Sequence, residues 1–150
     1  MKAIVEISNF LQQARKRMRS GEASREPLLL LRVEWRGDLV ECDWLMRAMD
    51  PWDRDLPANL ATENHTLQAL RDALKLRDMI FRYFPAVGIA YLRMFRADGD
   101  HRLELVMTGS VNRSDEILHR VPSVVMRARM CGFRFTMTEG AVGGMVSISV

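Results

Sequence analysis

The sequence predicts a single α+β domain over residues 1–150, in which an antiparallel sheet of about six strands carries about three helices mainly on one face. Three regions alternate apolar and polar residues around a glycine-containing turn or loop, which is typical of β-hairpins. Each region follows a stretch whose apolar residues recur every three or four positions, as in an amphipathic helix. The predicted order is therefore α-ββ-α-ββ-α-ββ, and the short connections favour helices gathered on one face.

The composition is typical of one globular domain, since 48% of the 150 residues are hydrophobic and 27% are charged. Cys42 and Cys131 lie in apolar patterns without metal-like spacing, so we expect reduced core thiols; a disulfide between them is the alternative. The N-terminus lacks the apolar segment of a signal peptide, and no stretch approaches the roughly 18 apolar residues of a membrane span. These features predict a soluble, cytoplasmic protein without membrane contacts.

The first helix is predicted from about Ala3 to Ser20, with Gly21 as its stop. Its apolar stripe consists of Ile4, Ile7, Leu11, Ala14 and Met18. The basic residues that crowd its last turns are Arg15, Lys16, Arg17 and Arg19. They form either a solvated helix end, where the helix dipole favours cations, or a contact with a phosphate backbone or an acidic partner.

Segment 28–57 predicts the first hairpin and its register. Gly37 and Asp38 form the turn, because glycine supplies the positive φ that a type II′ turn needs at its first central position. When the residues are paired outward from this turn, one face of the hairpin is apolar. Its predicted pairs are Trp35 with Val40, Val33 with Cys42, Leu31 with Trp44 and Leu29 with Met46. The other face pairs Arg32 with Asp43, Glu34 with Glu41 and Leu30 with Leu45. The apolar face requires a helix packed over it.

Two prolines interrupt the residues after this hairpin, so we expect a loop there, with Trp52 among three acids. From Glu34 to Asp55 there are seven acids and three bases, a net charge of −4 in a chain whose total is +3. Such asymmetry suggests an acidic and a basic pole, which favours contacts with a partner. The candidate partner-binding residues are Asp50, Trp52, Asp53 and Asp55. The alternative is that Trp52 folds back to close the end of the core.

The second helix is predicted to start at Thr62 or Asn64 and to run for about twenty residues to Pro85. A type I′ turn at Asp98-Gly99 then predicts the second hairpin. Its core face pairs Met94 with Leu103, Leu92 with Leu105 and Ala90 with Met107, while Arg93 faces Glu104 in a cross-strand ion pair.

The last part of the chain predicts a short turn near Asp115–His119 and a helix from Pro122 to Cys131. Arg127 and Arg129 are expected on the exposed side of this helix. A third hairpin is predicted from the alternation around Phe133–Thr138 and Val146–Val150, joined by the loop Gly140–Gly144.

Few groups have the spacing that catalysis or metal binding needs. The histidines lie in three different predicted elements: His65, His101 and His119. Glu34 and Glu41 are the predicted pair of close carboxylates, and such a pair raises one pKa or holds a divalent cation. The alternative is that Arg32 and Arg36 on the same face neutralise them. The sequence therefore predicts neither a metal nor another cofactor.

The leading functional hypothesis is a small non-enzymatic binding or adaptor module that acts through protein–protein contacts as a homodimer, since the charges are asymmetric and a C-terminal strand ending at Val150 leaves a potential edge. One alternative is a nucleic-acid-binding protein with a basic helical face formed by Arg15, Lys16, Arg17, Arg19, Arg127 and Arg129. The other is an enzyme or small-ligand carrier with a pocket between sheet and helices, where the first residues to inspect are Glu34, Glu41 and His101.

Overall fold

A computed structural model describes residues 8, 10–12, 28–49, 55–97, 102–114, 120–138, 140–144 and 146–149, and these have the predicted α+β fold. The strands are β1 (Leu29–Arg36), β2 (Leu39–Leu45), β3 (Ile89–Ala97), β4 (Arg102–Asn112), β5 (Phe133–Arg134), β6 (Met137–Thr138), β7 (Ala141–Val142) and β8 (Val146–Ser149). The helices are α1 (Ala58–Tyr83) and α2 (Val124–Met130), and residues 8 and 10–12 are also helical. None of the described helices combines the length and the apolar character that crossing a bilayer requires.

The main sheet has the strand order β1-β2-β3-β4, and β5 and β8 share the far edge of β4. β5 pairs with Thr108 and Gly109, whereas β8 pairs with residues 102–105. Neighbouring strands are antiparallel except for β2 and β3, which are parallel. The prediction of an entirely antiparallel sheet is therefore wrong at this one pair.

The length of α1 explains the parallel pair. A helix of 26 residues spans about 39 Å, so it carries the chain back along the whole sheet to the end where β2 begins. There, the Asp38 carbonyl accepts hydrogen bonds from the backbone N–H groups of Gly88 at 2.8 Å and Ile89 at 3.2 Å. These bonds start β3 beside the first turn, and a crossover of this kind is what a parallel neighbour requires.

The first hairpin follows the predicted register near its turn, where Gly37 has the expected positive φ, 60°. The confirmed pairs are Trp35 with Val40, Val33 with Cys42, Arg32 with Asp43 and Glu34 with Glu41. Farther out the register shifts, so that Leu30 rather than Leu31 pairs with Trp44, and Leu29 pairs with Leu45 rather than Met46. A β-bulge of this kind adds one residue to one strand. It leaves Leu29 and Leu31 exposed, although both were predicted on the core face.

α1 packs on the face of the sheet that carries Trp44 and Leu92, called here the inner face. The buried cluster on this side includes Val40, Cys42, Trp44, Leu70, Ala73, Leu76, Ile80, Ala90, Leu92, Met94, Met107 and Val111. Cys42 and Cys131 are buried thiols, as predicted. Burial raises the pKa of the Cys42 thiol far above its ordinary value, so this group stays protonated in the core.

α1 begins earlier than predicted, at Ala58 rather than near Thr62 or Asn64. Its N-cap is Pro57, whose carbonyl accepts a hydrogen bond from the Ala61 N–H at 3.0 Å. Proline has no side-chain oxygen, so Pro57 provides no side-chain cap for this first turn.

At its other end α1 stops at Tyr83, with Phe84 as the C-cap just before Pro85, where the prediction placed the end, and Arg113 binds the carbonyls there. The Arg113 guanidinium donates to the carbonyls of Phe81 at 2.8 Å, Phe84 at 2.7 Å and Val87 at 2.8 Å. The Phe81 carbonyl is one of the last four of the helix, which have no intrahelical donor. Arg113 therefore has a structural role at the C-terminus of α1.

The second hairpin forms between β3 and β4, but not in the predicted register. Ala97 pairs with Leu103 and Met94 with Met107, with a further shift between Met94 and Phe95. The connection is thus longer than the predicted two-residue turn, which displaces every pair. The expected ion pair of Arg93 with Glu104 is also wrong, since Glu104 binds Arg96 instead.

The third predicted hairpin is replaced by two separate pairings. β6 pairs with β7 in the small sheet, while β8 pairs with the start of β4. The glycine-rich loop is therefore partly strand, because Ala141 and Val142 belong to β7. β8 joins the main sheet because β5 covers only two residues of the β4 edge and leaves its other end available.

α2 is shorter than predicted and begins after Ser123, whose hydroxyl accepts from the Met126 N–H at 3.2 Å. Arg127 is half-buried rather than exposed, and Arg129 stacks over the Phe135 ring at 4.8 Å. The exposed apolar residues of α2 are Met126 and Met130. The turn predicted at 115–119 lies outside the described residues.

Candidate functional site

Charged side chains line the opposite, outer face of the sheet and centre on Asp43. The Arg93 guanidinium donates to the Asp43 carboxylate at 2.9 and 2.6 Å, across the parallel pair β2–β3. Arg32 donates to the same carboxylate from β1 at 3.1 Å. Arg93 also stacks over the Phe95 ring, 5.2 Å from its centroid. Three strands are therefore joined on this face by one buried carboxylate and two arginines.

The electrostatics of Asp43 are set by two opposing effects. Burial acts to raise its pKa, but the hydrogen bonds and charges of Arg93 and Arg32 outweigh it, so the pKa lies below the ordinary value. Asp43 is thus a structural anion at neutral pH. A general acid would need the opposite shift.

Glu34 and Glu41, like Asp43, are bound by arginine side chains. Glu34 and Glu41 face each other, and Arg32 lies 3.1 Å from the first and 3.4 Å from the second. Arg36 approaches Glu34 to 2.6 Å. Hydrogen bonds from Arg36 and Arg32 lower the pKa of Glu34. The pair is therefore neutralised by arginines, which was the alternative to a cation site. Within the described residues, no group of three or more acidic, histidine or cysteine side chains has the geometry to hold a metal ion.

A groove of about 610 Å³ crosses the outer face between β3, β4 and β5. Its lining includes Tyr91, Arg93, Thr108, Ser110 and Arg134. Tyr91 is 43% exposed and offers an aromatic face. Arginine with hydroxyl groups can bind carboxylate or phosphate, and an exposed aromatic ring can stack on a planar ligand group.

A second concavity, called here the cleft, lies where the parallel strands β2 and β3 end. Its volume is about 380 Å³, and it is lined by Leu29, Leu45, Met46, Arg47, Ala48, His65, Arg96 and Ala97. Residues from both strand ends and from the second turn of α1 thus meet there. The crevice outside the carboxyl ends of parallel strands is a common ligand position in α/β sheets.

The polar groups of the cleft are held by the surrounding chain. Arg47 donates to both carboxylate oxygens of Asp72, at 2.8 and 2.5 Å, and both residues are buried. Arg96 donates to Glu104 at 2.7 Å and to the Val142 carbonyl at 2.9 Å. The two arginines of the cleft are therefore each matched by a carboxylate.

His65 is also fixed in the cleft. Its Nε2 lies 2.6 Å from the Arg47 carbonyl oxygen. Because a carbonyl only accepts, Nε2 is the donor, and Nδ1 is the ring nitrogen left for another partner.

The edge of the sheet is a third feature of interest. β1 is eight residues long, and within the described part of the chain it pairs with β2 alone. Leu29 and Leu31 on this strand are 56% and 41% exposed. An open edge with exposed leucines is a template for pairing with another strand.

Most residues chosen from the sequence lie apart from these sites. Asp55 is exposed just before α1, while Asp50, Trp52 and Asp53 lie outside the described residues, so the partner site they form stays a prediction. His101, Arg15, Lys16, Arg17 and Arg19 also lie outside them. Sequence reasoning missed the cleft, because Arg47 and Asp72 are 25 positions apart and no local pattern joins them. The charge of Asp72 on the apolar stripe of a predicted helix was the available signal.

Comparison of the chain with family models, with curated proteins and with solved structures finds no match. The β1 edge, the outer-face groove and the cleft are therefore the candidate sites of this chain.

The Asp43 cluster predicts a specific pH dependence. Because the folded pKa is below the unfolded value of about 3.9, the stability that Asp43 contributes is present above that value and is lost as pH falls through it towards the folded pKa. We expect the difference in unfolding free energy between the wild type and Asp43→Asn to shrink below about pH 4, by at most about 1.4 kcal/mol per pH unit. Urea unfolding at a series of pH values measures it.

Arg93→Gln is the companion variant for this experiment. It keeps Asp43 but removes the cation that donates two hydrogen bonds, so the folded pKa of Asp43 should move back towards the unfolded value, and less stability should be lost below about pH 4 than in the wild type. A stability difference between wild type and Asp43→Asn that stays constant from pH 7 to pH 3 would contradict the assignment.

Proposed function

We propose that the protein is a non-enzymatic binding module that acts through protein–protein contacts, and that it forms a homodimer through β1. The observation that carries the proposal is the edge of β1, which pairs with β2 alone in the part of the chain that the structure describes and exposes Leu29 and Leu31. Natural edge strands are usually short or covered, whereas this one has eight residues. Pairing with a partner strand buries the two leucines and satisfies the edge backbone groups together.

The sequence of β1 favours a second copy as the partner. In an antiparallel self-pairing centred on Val33, Arg32 of each chain lies opposite Glu34 of the other. Opposite charges directly across a strand pair stabilise the pairing. A two-fold axis through this point also closes the interface, so that growth stops at a dimer.

The arginine-bound carboxylates of the outer face also support a binding role over a catalytic one. Asp43 and Glu34 both have lowered pKa values and are engaged by arginines. A carboxylate that is poised as a general acid or base normally has a raised pKa.

Light scattering during size exclusion tests the dimer. We expect a mass of twice the 17.3 kDa chain for the wild type and a shift towards monomer for Leu31→Lys. In the pairing centred on Val33, each lysine would lie opposite Trp35 of the other chain and the burial of two leucines would be lost, so we expect at least about a tenfold weaker dimer, or about 1.4 kcal/mol.

Leu60→Lys is the matched control, because Leu60 is similarly exposed but lies on α1. It should leave the dimer mass unchanged. A wild type that is monomeric at every concentration would refute the homodimer, and a dimer that Leu31→Lys leaves intact would refute the β1 interface.

A further inference from the structure

We propose that the cleft at the ends of β2 and β3 binds an uncharged, mainly apolar small molecule that carries one hydrogen-bonding group. This is a ligand site additional to the protein–protein contact at β1. Four features of the cleft favour such a ligand: its position, its size, the pairing of its charged side chains and the orientation of His65.

The position and size suit a small ligand. Met46, Arg47 and Ala48 follow β2, while Arg96 and Ala97 end β3, so the backbone of two parallel strands opens at this point. The cleft holds about 380 Å³, more than twice the roughly 150 Å³ of an apolar cavity that accommodates benzene. A molecule of about ten heavy atoms is therefore within range.

The charges of the cleft argue for an uncharged ligand. Arg47 is paired in two hydrogen bonds with the buried Asp72, and Arg96 is paired with Glu104. An anionic ligand would have to give up its hydration and then compete with these carboxylates, which is unfavourable at a partly buried site. The side chains of Leu45 and Met46 instead favour hydrocarbon.

His65 supplies the hydrogen-bonding position. Since its Nε2 donates to the Arg47 carbonyl at 2.6 Å, the ring orientation is held by the backbone, and in the neutral imidazole Nδ1 is the hydrogen-bond acceptor. A ligand hydroxyl group matches an accepting Nδ1. The few polar groups of an apolar ligand site usually serve to orient the ligand in this way.

Octan-1-ol and octanoate form a matched pair of probes, because they share the chain and differ in the charge of the head group. Isothermal titration calorimetry should give saturable binding of octan-1-ol and at least tenfold weaker binding of octanoate. In ¹⁵N-labelled protein, octan-1-ol should shift the backbone amide signals of Met46, Arg47 and Ala97. Equal or tighter binding of octanoate, or no saturable shift at these amides, overturns the proposal.

Substitutions that fill the cleft test whether octan-1-ol binds there. Ala97→Phe and Ala48→Phe each place a ring in the cleft at an exposed position and should weaken octan-1-ol binding at least tenfold. Ala58→Phe, at an exposed alanine outside the cleft, should leave it unchanged. Unchanged affinity in both folded cleft variants overturns the proposal. Binding that appears only in Trp52→Ala also overturns it, because the chain itself then occupies the cleft.

Discussion

Replacing Asp72 by alanine is expected to lower the free energy of unfolding by about 3–5 kcal/mol. Asp72 and Arg47 are both buried, and two hydrogen bonds join the carboxylate to the guanidinium. Gln68 also donates to this carboxylate, at 2.8 Å. Without the Asp72 carboxylate, no negative charge on Asp72 offsets the free-energy cost of burying the Arg47 cation. For a chain of this length, the expected fall in Tm is roughly 6–20 °C.

Asp78→Ala is the matched control, since it makes the same change six residues along α1. Asp78 is exposed and lies 3.2 Å from Arg77, whose buried guanidinium keeps its hydrogen bond to the Asn112 carbonyl in this variant, so the expected loss is only about 1 kcal/mol. Urea unfolding of the two variants gives the comparison. Similar losses in both would mean that the Arg47–Asp72 pair is not a principal element of the fold.

Replacing Gly132 by alanine is expected to cost about 3 kcal/mol of unfolding free energy, the second-largest effect. Gly132 has a φ of 103°, a conformation that residues with a Cβ avoid. An added Cβ would also lie 2.5 Å from the Ser110 carbonyl oxygen in β4. Because that oxygen belongs to the backbone of a central strand, relief of the clash requires β5 to move away from β4. Thermal unfolding by circular dichroism measures the loss.

Gly88→Ala provides the comparison for this substitution. A Cβ added at Gly88 has no neighbour within 4 Å, and its φ is not in the left-handed range. Its stability should therefore stay within about 0.5 kcal/mol of the wild type or rise slightly. If Gly132→Ala is as stable as Gly88→Ala, the packing of β5 against β4 is looser than the structure indicates.

The features that were predicted correctly depend on residues close together in the chain. The pairs next to Gly37 follow from a two-residue turn and from alternation, and the opposition of Glu34 to Glu41 follows with them. The bulge between Leu30 and Arg32 was not predictable, since several leucines in a row fit either face equally well. It matters for function, because the bulge exposes the leucines on which the proposed dimer depends.

The features that were missed depend on distant parts of the chain. In the second hairpin, the assumed two-residue turn displaced the register and produced the wrong ion pair. Arg93 instead binds Asp43, which is 50 positions away, on a strand that the sequence did not identify as its neighbour. The cleft and the Arg47–Asp72 pair likewise exist only because α1 returns the chain beside β2.

The sequence by itself determined that this chain forms an α+β domain, since the repeat of apolar residues at two or at three to four positions is a local property that decides which face of each element is buried. It also determined the first turn, the strand pairs next to that turn and the apolar face of α1. Only the tertiary structure decided which strands are neighbours, where the parallel pair lies and which arginine meets which carboxylate. The physical reason is that the choice among alternative strand partners depends on the packing of the whole core, and neither alternation nor charge specifies it one segment at a time.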